Sequence, residues 1–377
     1  MIRTFHPVGQ GAFYSERHSN FNIVYDCGTM SPKKARSVVE DAFKGEVIDI
    51  LFISHFDKDH IASIPYLKSS AKQIKIVVLP LLNNQQRNLL LNFYNHFSAD
   101  LKSIINNPES YFGSNTTIIK VLPTDVAYDI ERRFEPLDLR ELTNSDPNES
   151  IEIESGTPLT IPSTFKEKTI KWAFIPYNYE DKVRRIVIDR ELNKVGINTS
   201  ILMSDPNYAL SNLANTTLKN KMKDIYNMQQ RKINENSMLL YSGPDLSNDL
   251  RKCQYFHLSH HETLLINSKL CYTCLCISGC IYTGDSDFKC FKLKDMYAGY
   301  VDYVDIIQVP HHGSKYDFDL QALEGFSRTI MPVSHKTTSS KHPDAEVVKE
   351  LIINGFKVIS VNEKKGSEFQ QRIFSCA

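Results

Sequence analysis

The feature that most constrains this chain is a short apolar run that ends in a dense group of polar side chains. Residues 48–54 are mostly apolar and rich in β-branched residues, a pattern typical of a buried strand. The heptapeptide Ser-His-Phe-Asp-Lys-Asp-His occupies 54–60. Two imidazoles and two carboxylates, all potential metal ligands, thus lie in a loop at the end of a rigid strand. A solvated polar loop accounts poorly for this density, so the segment predicts a functional site.

Composition narrows the class of protein. The chain has 377 residues, 41% hydrophobic and 23% charged, as expected for a globular protein with a sizeable core. Its formal net charge is zero, so an anionic substrate must be attracted by a local patch or by metal ions. Neither a signal-peptide pattern nor an apolar run long enough to cross a bilayer is visible, so we expect a cytoplasmic protein with no membrane partner. We therefore expect its eight cysteines to be thiols or metal ligands rather than disulfides.

Strand and helix signals run through most of the chain. The predicted strands are 21–25, 48–54, 74–80, 237–242, 270–277, 280–283, 305–310, 329–333 and 356–361. The predicted helices are 31–43, 82–106, 181–194, about 207–232 and 343–354. Residues 107–125 predict an irregular connection, and Ser278-Gly279 predicts a hairpin turn between two strands.

Ligand-type residues recur where these predicted strands end. They are Asp26, the heptapeptide, Asp285, His311 with His312, and His342 just before the last helix. One such placement is expected by chance, whereas five that coincide with the ends of predicted elements indicate a single converging site.

These motifs, in this order, resemble the metallo-β-lactamase fold, in the variant found in the hydrolase domain of ComEC-type DNA-uptake proteins. The motifs are His55-x-Asp57-x-Asp59-His60, Tyr-Thr-Gly284-Asp285, Val-Pro-His311-His312-Gly-Ser, His342-Pro343, Pro-Val-Gly-Gln-Gly at 7–11 and Ile-Val-Tyr-Asp-Cys-Gly at 23–28. The resemblance implies an α/β fold, an αββα sandwich with a large, partly helical insertion, in a single domain spanning 1–377. The core would comprise 1–80, 234–242 and 278–365, and the insertions about 81–233 and 243–270.

The resemblance also implies two divalent metal ions at one edge of the sandwich. His55 and Asp57 would bind the first ion, and Asp59 and His60 the second. Asp285 would bridge the two ions.

The remaining motif residues receive roles from the same resemblance. His311 or His312 would complete the second metal site, and we assign His311 to the metal. His312 and His342, together with Asp59, are then the predicted catalytic residues. Asp26 would orient the loops that carry the ligands.

The chain departs from the commoner pattern of this fold at Asp57, where a histidine is usual. A further histidine ligand is also missing, and His257, His260 or His261 could supply it. The three carboxylates supply hard oxygen ligands, so manganese suits the site as well as zinc does, and magnesium is possible. Two ions about 3.5–4 Å apart could hold a nucleophile and stabilise an attacked phosphoryl group.

A second cluster of potential ligands contains Cys253, His257, Cys271 and Cys274. Its spacing is compatible with a tetrahedral structural zinc site. However, 270–277 alternates as a strand, so its cysteines can instead be buried thiols, which is the interpretation we favour.

The leading functional hypothesis is a two-metal phosphodiesterase or nuclease that acts on nucleic acid or nucleotides. It rests on the ligand set, the resemblance, and an excess of Lys and Arg over Asp and Glu at 164–232, although such charge runs are more often solvated helix faces. One alternative is a small-molecule ester, lactone or thioester hydrolase of the same fold. The other is a non-catalytic metal-binding protein whose insertions contact a protein partner. Basic residues beside the site would favour the first, and an apolar cleft the second.

Overall fold

The computed structural model describes most of the chain. The described residues are 1–94, 97–124, 134–142, 150–165, 168–180, 182–194, 196–208, 236–247, 270–327 and 329–374. Among the helices in these ranges, none has the length and apolar character needed to cross a bilayer.

Strands and helices alternate through the described residues. The strands are β1 Ile2–Phe5, β2 Phe13–Arg17, β3 Asn22–Cys27, β4 Val47–Phe52, β5 Gln73–Pro80, β6 Thr117–Val121, β7 Pro123–Thr124, β8 Leu137–Asp138, β9 Ile151–Ile153, β10 Leu159–Phe165, β11 Lys168–Glu180, β12 Asn236–Pro244, β13 Leu270–Cys274, β14 Gly279–Tyr282, β15 Val304–Ile307, β16 Ile330–Ser334, β17 Lys357–Val361 and β18 Phe369–Phe374. The α-helices are α1 Pro32–Ala42, α2 Lys58–Ile61, α3 Ile64–Ser70, α4 Asn84–Phe93, α5 Ala99–Asn106, α6 Pro108–Phe112, α7 Leu139–Leu142, α8 Lys182–Lys194, α9 Thr199–Ser204, α10 Leu293–Met296 and α11 Ala345–Ile353. Short 3₁₀ helices lie at Leu275–Ile277, Ala298–Tyr303, Pro310–Gly313 and Leu320–Leu323.

The strands form two large sheets. The first has the order β13-β18-β1-β2-β3-β4-β5-β6-β9, and the second has the order β17-β16-β15-β14-β12-β11-β10-β8, with β7 beside β11. Apolar side chains from both sheets, such as Phe52 and Phe174, form one buried cluster between them. A second cluster joins the outer face of the first sheet to α1, α3, α4 and α5, and a third joins the second sheet to α10 and α11. The layers are therefore helix, sheet, sheet, helix, the αββα sandwich that the motifs implied.

The direction of the strands decides where a site can form. In the first sheet, β3, β4, β5, β6 and β9 run parallel to one another, as do β14, β15, β16 and β17 in the second. The carboxyl ends of parallel strands meet at one edge of a sheet, and ligands are usually bound outside that edge. The polar residues that follow β3, β4, β14 and β15 are brought together in this way.

Most predicted elements lie within a few residues of their observed bounds, but three predictions were wrong. The hairpin at Ser278-Gly279 is absent from the described pairings, since β13 pairs with β18 while β14 pairs with β12 and β15. The connection at 107–125 contains α6 and β6, and the helical stretch at 82–106 is two helices, α4 and α5. The segment 81–233 supplies strands to both sheets as well as helices, and its assignment as an insertion stays a prediction.

A buried ion pair links β1 and β2 to the second sheet. Arg3 donates to Glu16 from Nε over 2.8 Å, with both side chains almost fully inaccessible to solvent. The Glu16 carboxylate also accepts the hydroxyl protons of Ser242 at 2.7 Å and Tyr282 at 2.9 Å. Burial raises the pKa of Glu16, but the Arg3 charge and the donated hydrogen bonds outweigh it and lower that pKa to about 2. Each charge in this network has its counter-charge or donor within the protein.

Candidate metal centre

The heptapeptide becomes a loop and one short helix. The loop leaves β4, and α2 begins at Lys58, with Asp57 at its N-cap. Gly28, directly after β3, allows α2 to approach closely, because a Cβ at Gly28 would lie 2.4 Å from backbone atoms of His60. Only glycine permits this contact, which presses the ligand-bearing helix against the end of β3.

His60 is oriented by a carboxylate from the neighbouring strand. Its Nδ1 lies 2.7 Å from Oδ2 of Asp26, and its Nε2 lies 3.1 Å from Oδ1 of Asp285. Asp26 also accepts hydrogen bonds from the backbone amide and the hydroxyl of Ser54, each at 2.7 Å. Asp26 therefore holds both the start of the heptapeptide and one of its imidazoles.

His55 lies beside the same aspartate. Its Nε2 is 3.6 Å from Oδ2 of Asp285 and 3.8 Å from Oδ2 of Asp57, and all three side chains are buried. Its Nδ1 is 2.9 Å from the hydroxyl of Ser54. Asp285 thus faces His55 with one carboxylate oxygen and His60 with the other.

His312 joins the cluster from the second sheet. Its Nδ1 donates to the carbonyl of Ser334 over 2.8 Å, and its Nε2 lies 3.1 Å from Oδ2 of Asp59. Its backbone has a φ of 54°, in the left-handed region. Among the described residues other than glycine, positive φ occurs at Asp26, His311 and His312, all at this site. Such strain persists where the surrounding structure imposes it, commonly at functional sites.

His311 turns toward a different partner. Its Nδ1 contacts Oδ2 of the buried Asp317, while its Nε2 is 4.0 Å from Oδ2 of Asp285. The rings of His311 and His342 lie 5.9 Å apart, centroid to centroid. His311 and His342 therefore form the side of the site that lies beyond the ligand cluster.

Two polar side chains hold the turn that carries Asp285. Gln308 accepts the amide protons of Thr283 and Gly284 at 3.1 and 3.2 Å and donates to the Gly284 carbonyl at 3.2 Å. The amide of Asp285 donates to the hydroxyl of Ser237 at 3.2 Å, which connects this turn to the start of β12. The second sheet thereby fixes Asp285 against the ligands of the first.

The groups beside the cluster are kept neutral by burial. Burial raises the pKa of the Cys27 thiol well above its usual value, and the Asp26 charge raises it further. Burial acts in the same way on the pKa of Tyr25, whose hydroxyl donates to the Met238 carbonyl at 2.7 Å. Neither residue can therefore compensate the buried carboxylates.

The pattern of acceptors in this cluster fits divalent cations. His312 must donate from Nδ1, because its partner there is a carbonyl, so its neutral ring presents a lone pair at Nε2. That lone pair faces a carboxylate oxygen of Asp59, and His60 faces Asp285 in the same manner. Two acceptors at this distance repel each other unless a proton or a metal cation lies between them. Within the described ranges, two groups of buried side chains are close enough to hold an ion: His55 with His60 and Asp285, and Asp59 with His60 and His312.

The structure brings most of the predicted site residues together. Those within one buried cluster are His55, Asp57, Asp59, His60, Asp285 and His312, with Asp26, His311 and His342 beside it. Cys253 and His257 lie outside the described residues, and only the backbone of Cys271 and Cys274 is described, in β13. The structural zinc site therefore stays a prediction.

Sequence reasoning missed several supporting residues. Tyr94, whose hydroxyl contacts Asp57, is 37 positions away from it, and no local motif marks it. Asp317 lies six positions after His311 and Gln308 stands at the end of an apolar strand, so both had a weak signal in the sequence.

Residues 8–153 match the family model described as the metallo-beta-lactamase superfamily. With the two sheets and their helical layers, this match confirms the predicted fold class, the metallo-β-lactamase sandwich. The matched segment contains Asp26 and the whole heptapeptide, whereas Asp285 and His312 lie beyond it. The ComEC-type branch stays a prediction.

Two solved structures are similar over nearly the whole chain. One is the metallo-beta-lactamase fold protein YhfI from Bacillus subtilis, at 12% identity and a TM-score of 0.40, covering 98% of this chain and 99% of that one. The other is the short form of human tRNase Z, at 7% identity and a TM-score of 0.35, covering 100% of this chain and 96% of that one. Comparison with curated proteins gives no significant match.

Proposed function

We propose that this protein is a hydrolase that binds two divalent metal ions and cleaves phosphodiester bonds in nucleic acids or nucleotides. The observation that carries the proposal is the buried cluster in which imidazole Nε2 atoms of His60 and His312 face carboxylate oxygens of Asp285 and Asp59. A buried set of acceptors has a physical reason to exist where cations are bound. We also propose the cytoplasmic location that the sequence predicts.

In this proposal His55, Asp57 and Asp285 would hold the first ion. Asp59, His60, His312 and Asp285 would hold the second. When bound, two divalent ions lower the pKa of water and withdraw charge from a phosphoryl group under attack.

Asp26 and Ser334 hold Nδ1 of His60 and His312, and this leaves Nε2 of each ring directed into the cluster. The single tautomer that results is the one a metal ligand needs. These two contacts are therefore expected to determine metal affinity without touching substrate.

The arrangement favours exchanging the roles first assigned to the two adjacent histidines. His312 lies with the ligands, so we now propose it as the metal ligand in place of His311. His311 is held at Nδ1 by Asp317, and this leaves its Nε2 to donate a proton to the leaving oxygen. His342, at ring-centroid distances of 5.9 and 6.5 Å from His311 and His312, would contact the same part of the substrate.

A basic loop beside the site favours an anionic substrate. Residues 335–342 begin directly after β16, whose last carbonyl holds His312, and end at His342. The loop carries Lys336 and Lys341, both exposed, and no acidic residue. Cations at this position attract phosphates and not neutral esters.

A substrate panel tests the function. Purified protein with manganese, magnesium or zinc would be given single-stranded DNA, duplex DNA, RNA, cyclic dinucleotides, bis(p-nitrophenyl) phosphate, a lactone and a thioester. We expect metal-dependent cleavage of at least one phosphodiester, with Asp59→Ala inactive.

Other outcomes separate the alternatives. Cleavage of the lactone or thioester without any phosphodiester would identify the small-molecule hydrolase instead. Protein that binds no metal and retains its cellular role with Asp59→Ala would refute both enzymes.

A further inference from the structure

Tyr94 reaches the metal centre from outside the motifs. It stands at the C-cap of α4 and is almost fully buried. Its hydroxyl donates to Oδ1 of Asp57. Its ring stacks in parallel on Phe97, with the centroids 4.3 Å apart, so both the ring and its hydroxyl are held in place.

This hydrogen bond constrains the Asp57 carboxylate. Asp57 is the N-cap of α2 but makes no capping hydrogen bond with its side chain. With Oδ1 engaged by Tyr94, Oδ2 is directed toward His55, whose Nε2 lies 3.8 Å away. A carboxylate that accepts a proton at one oxygen and binds an ion through the other is a common arrangement around metal ligands.

The position of Tyr94 depends in turn on α9. The fully buried Asn92, on the last turn of α4, donates through its side-chain amide to the carbonyls of Leu202 and Asp205, at 2.9 and 2.7 Å. Asn88, one turn earlier, donates to the Met203 carbonyl at 2.8 Å. Three hydrogen bonds to the C-terminal end of α9 thus fix the end of α4 from which Tyr94 projects.

We propose that Tyr94 positions Asp57 as a ligand of the first metal ion, and that the α4–α9 pair is thereby part of the metal centre. Both helices lie in the segment 81–233, which the motifs leave unassigned. This inference rests on the proposed two-metal function, since it assigns a positioning residue to one of its two ions.

The test is metal titration of the full chain, which needs no substrate. Mn²⁺ is titrated calorimetrically into chelator-stripped wild type and Tyr94→Phe. Wild type should bind two ions, and Tyr94→Phe should bind one of them about 10–100-fold more weakly, the usual loss when a group that orients a ligand is removed. Asn92→Leu should weaken that same site and leave the other unchanged.

Tyr241→Phe is the matched control. Tyr241 is equally buried and its hydroxyl also makes one hydrogen bond, to the Pro244 carbonyl at 3.0 Å, but it contacts no ligand. Its variant should bind both ions as wild type does. Combining Tyr94→Phe with Asp57→Asn should add no loss beyond Asp57→Asn alone, because Tyr94 acts through that carboxylate.

Several results would overturn the inference. Equal affinity of Tyr94→Phe and wild type at both sites would show that Asp57 needs no such support. Equal loss at both sites, or the same loss in Tyr241→Phe, would reveal a general structural effect. Wild type that binds no Mn²⁺ or Zn²⁺ would refute the proposed function itself, a result that the variants cannot mimic.

Discussion

Two buried clusters of charged side chains are built in opposite ways. Around Glu16, carboxylate oxygens meet donors, since Arg3, Ser242 and Tyr282 all direct protons at them. Around Asp285, the carboxylate oxygens lie beside imidazole nitrogens instead. These imidazoles donate a proton to another partner or lie beside further carboxylates. The first cluster pairs its carboxylate with a counter-charge and hydroxyl donors, and the second brings together side chains that could hold metal ions.

This difference shows how buried charges that belong to the fold can be distinguished from buried charges that bind a ligand. Burying a charge costs several kcal/mol unless a partner compensates it, so a compensated network stabilises the fold or leaves it unchanged. A cluster of acceptors without enough donors costs stability, and its retention indicates that a ligand is expected there. Four predictions test this contrast.

The largest effect is expected for Asp59→Asn. Removing one carboxylate should lower the rate of metal-dependent hydrolysis by more than about 100-fold, the upper end for residues that only orient ligands. The same change removes a buried like charge, so the chelator-stripped variant should melt no lower than stripped wild type. Initial rates and thermal denaturation curves give the two readouts. A clearly lower melting temperature of the stripped variant would contradict the contrast.

Glu16→Gln should have the opposite profile. It leaves the buried Arg3 without its counter-charge, so the free energy of unfolding should fall by about 3–5 kcal/mol. Metal stoichiometry of the folded variant should remain at two. Urea denaturation measures the loss, with Arg36→Ala as the control. Arg36 pairs with Glu40 on an exposed helix face, where solvent screens the ion pair and little stability is lost.

Metal binding should stabilise one cluster and leave the other unchanged. At a free Mn²⁺ concentration about 100 times the Kd, each independent site adds about 2.7 kcal/mol to the free energy of unfolding. Glu16→Gln should retain this increment, whereas Asp285→Asn should lose most of it. Denaturation with and without Mn²⁺ measures the increment, and an undiminished gain in Asp285→Asn would remove Asp285 from the proposed ligands.

The smallest expected effect is a pH dependence of the free energy of unfolding that arises from Glu16. Burial raises the pKa of this carboxyl, but Arg3 and the donated hydrogen bonds lower it overall to about 2, from an ordinary value of 4.5. A lowered pKa contributes stability that is fully present above pH 4.5 and is lost as the pH falls toward 2. The stability difference between stripped wild type and Glu16→Gln should therefore shrink as pH falls from 5 to 2. A constant difference would mean that Glu16 does not stay ionised in the fold.

Elements with a clear pattern of apolar residues could be predicted from the sequence. The strands that lead into Asp26, the heptapeptide and Asp285 are short apolar runs, and the structure has them within a few residues. The long strands β10 and β11 were missed, because the basic residues around them suggested a solvated segment. Their partner strands supply the apolar contacts that override this local signal.

For the site, the sequence by itself determined which residue types stand at the ends of which strands, because strand periodicity and turn residues are local properties. Only the tertiary structure decided which of the two adjacent histidines faces Asp59. His311 and His312 have left-handed backbone conformations, with φ of 45° and 54°, and these turn their rings toward different partners. Tyr94 and Asp57 likewise meet only in the folded chain, at the end of α4 that is hydrogen-bonded to α9. Such contacts depend on side-chain direction across distant segments, which no local pattern records.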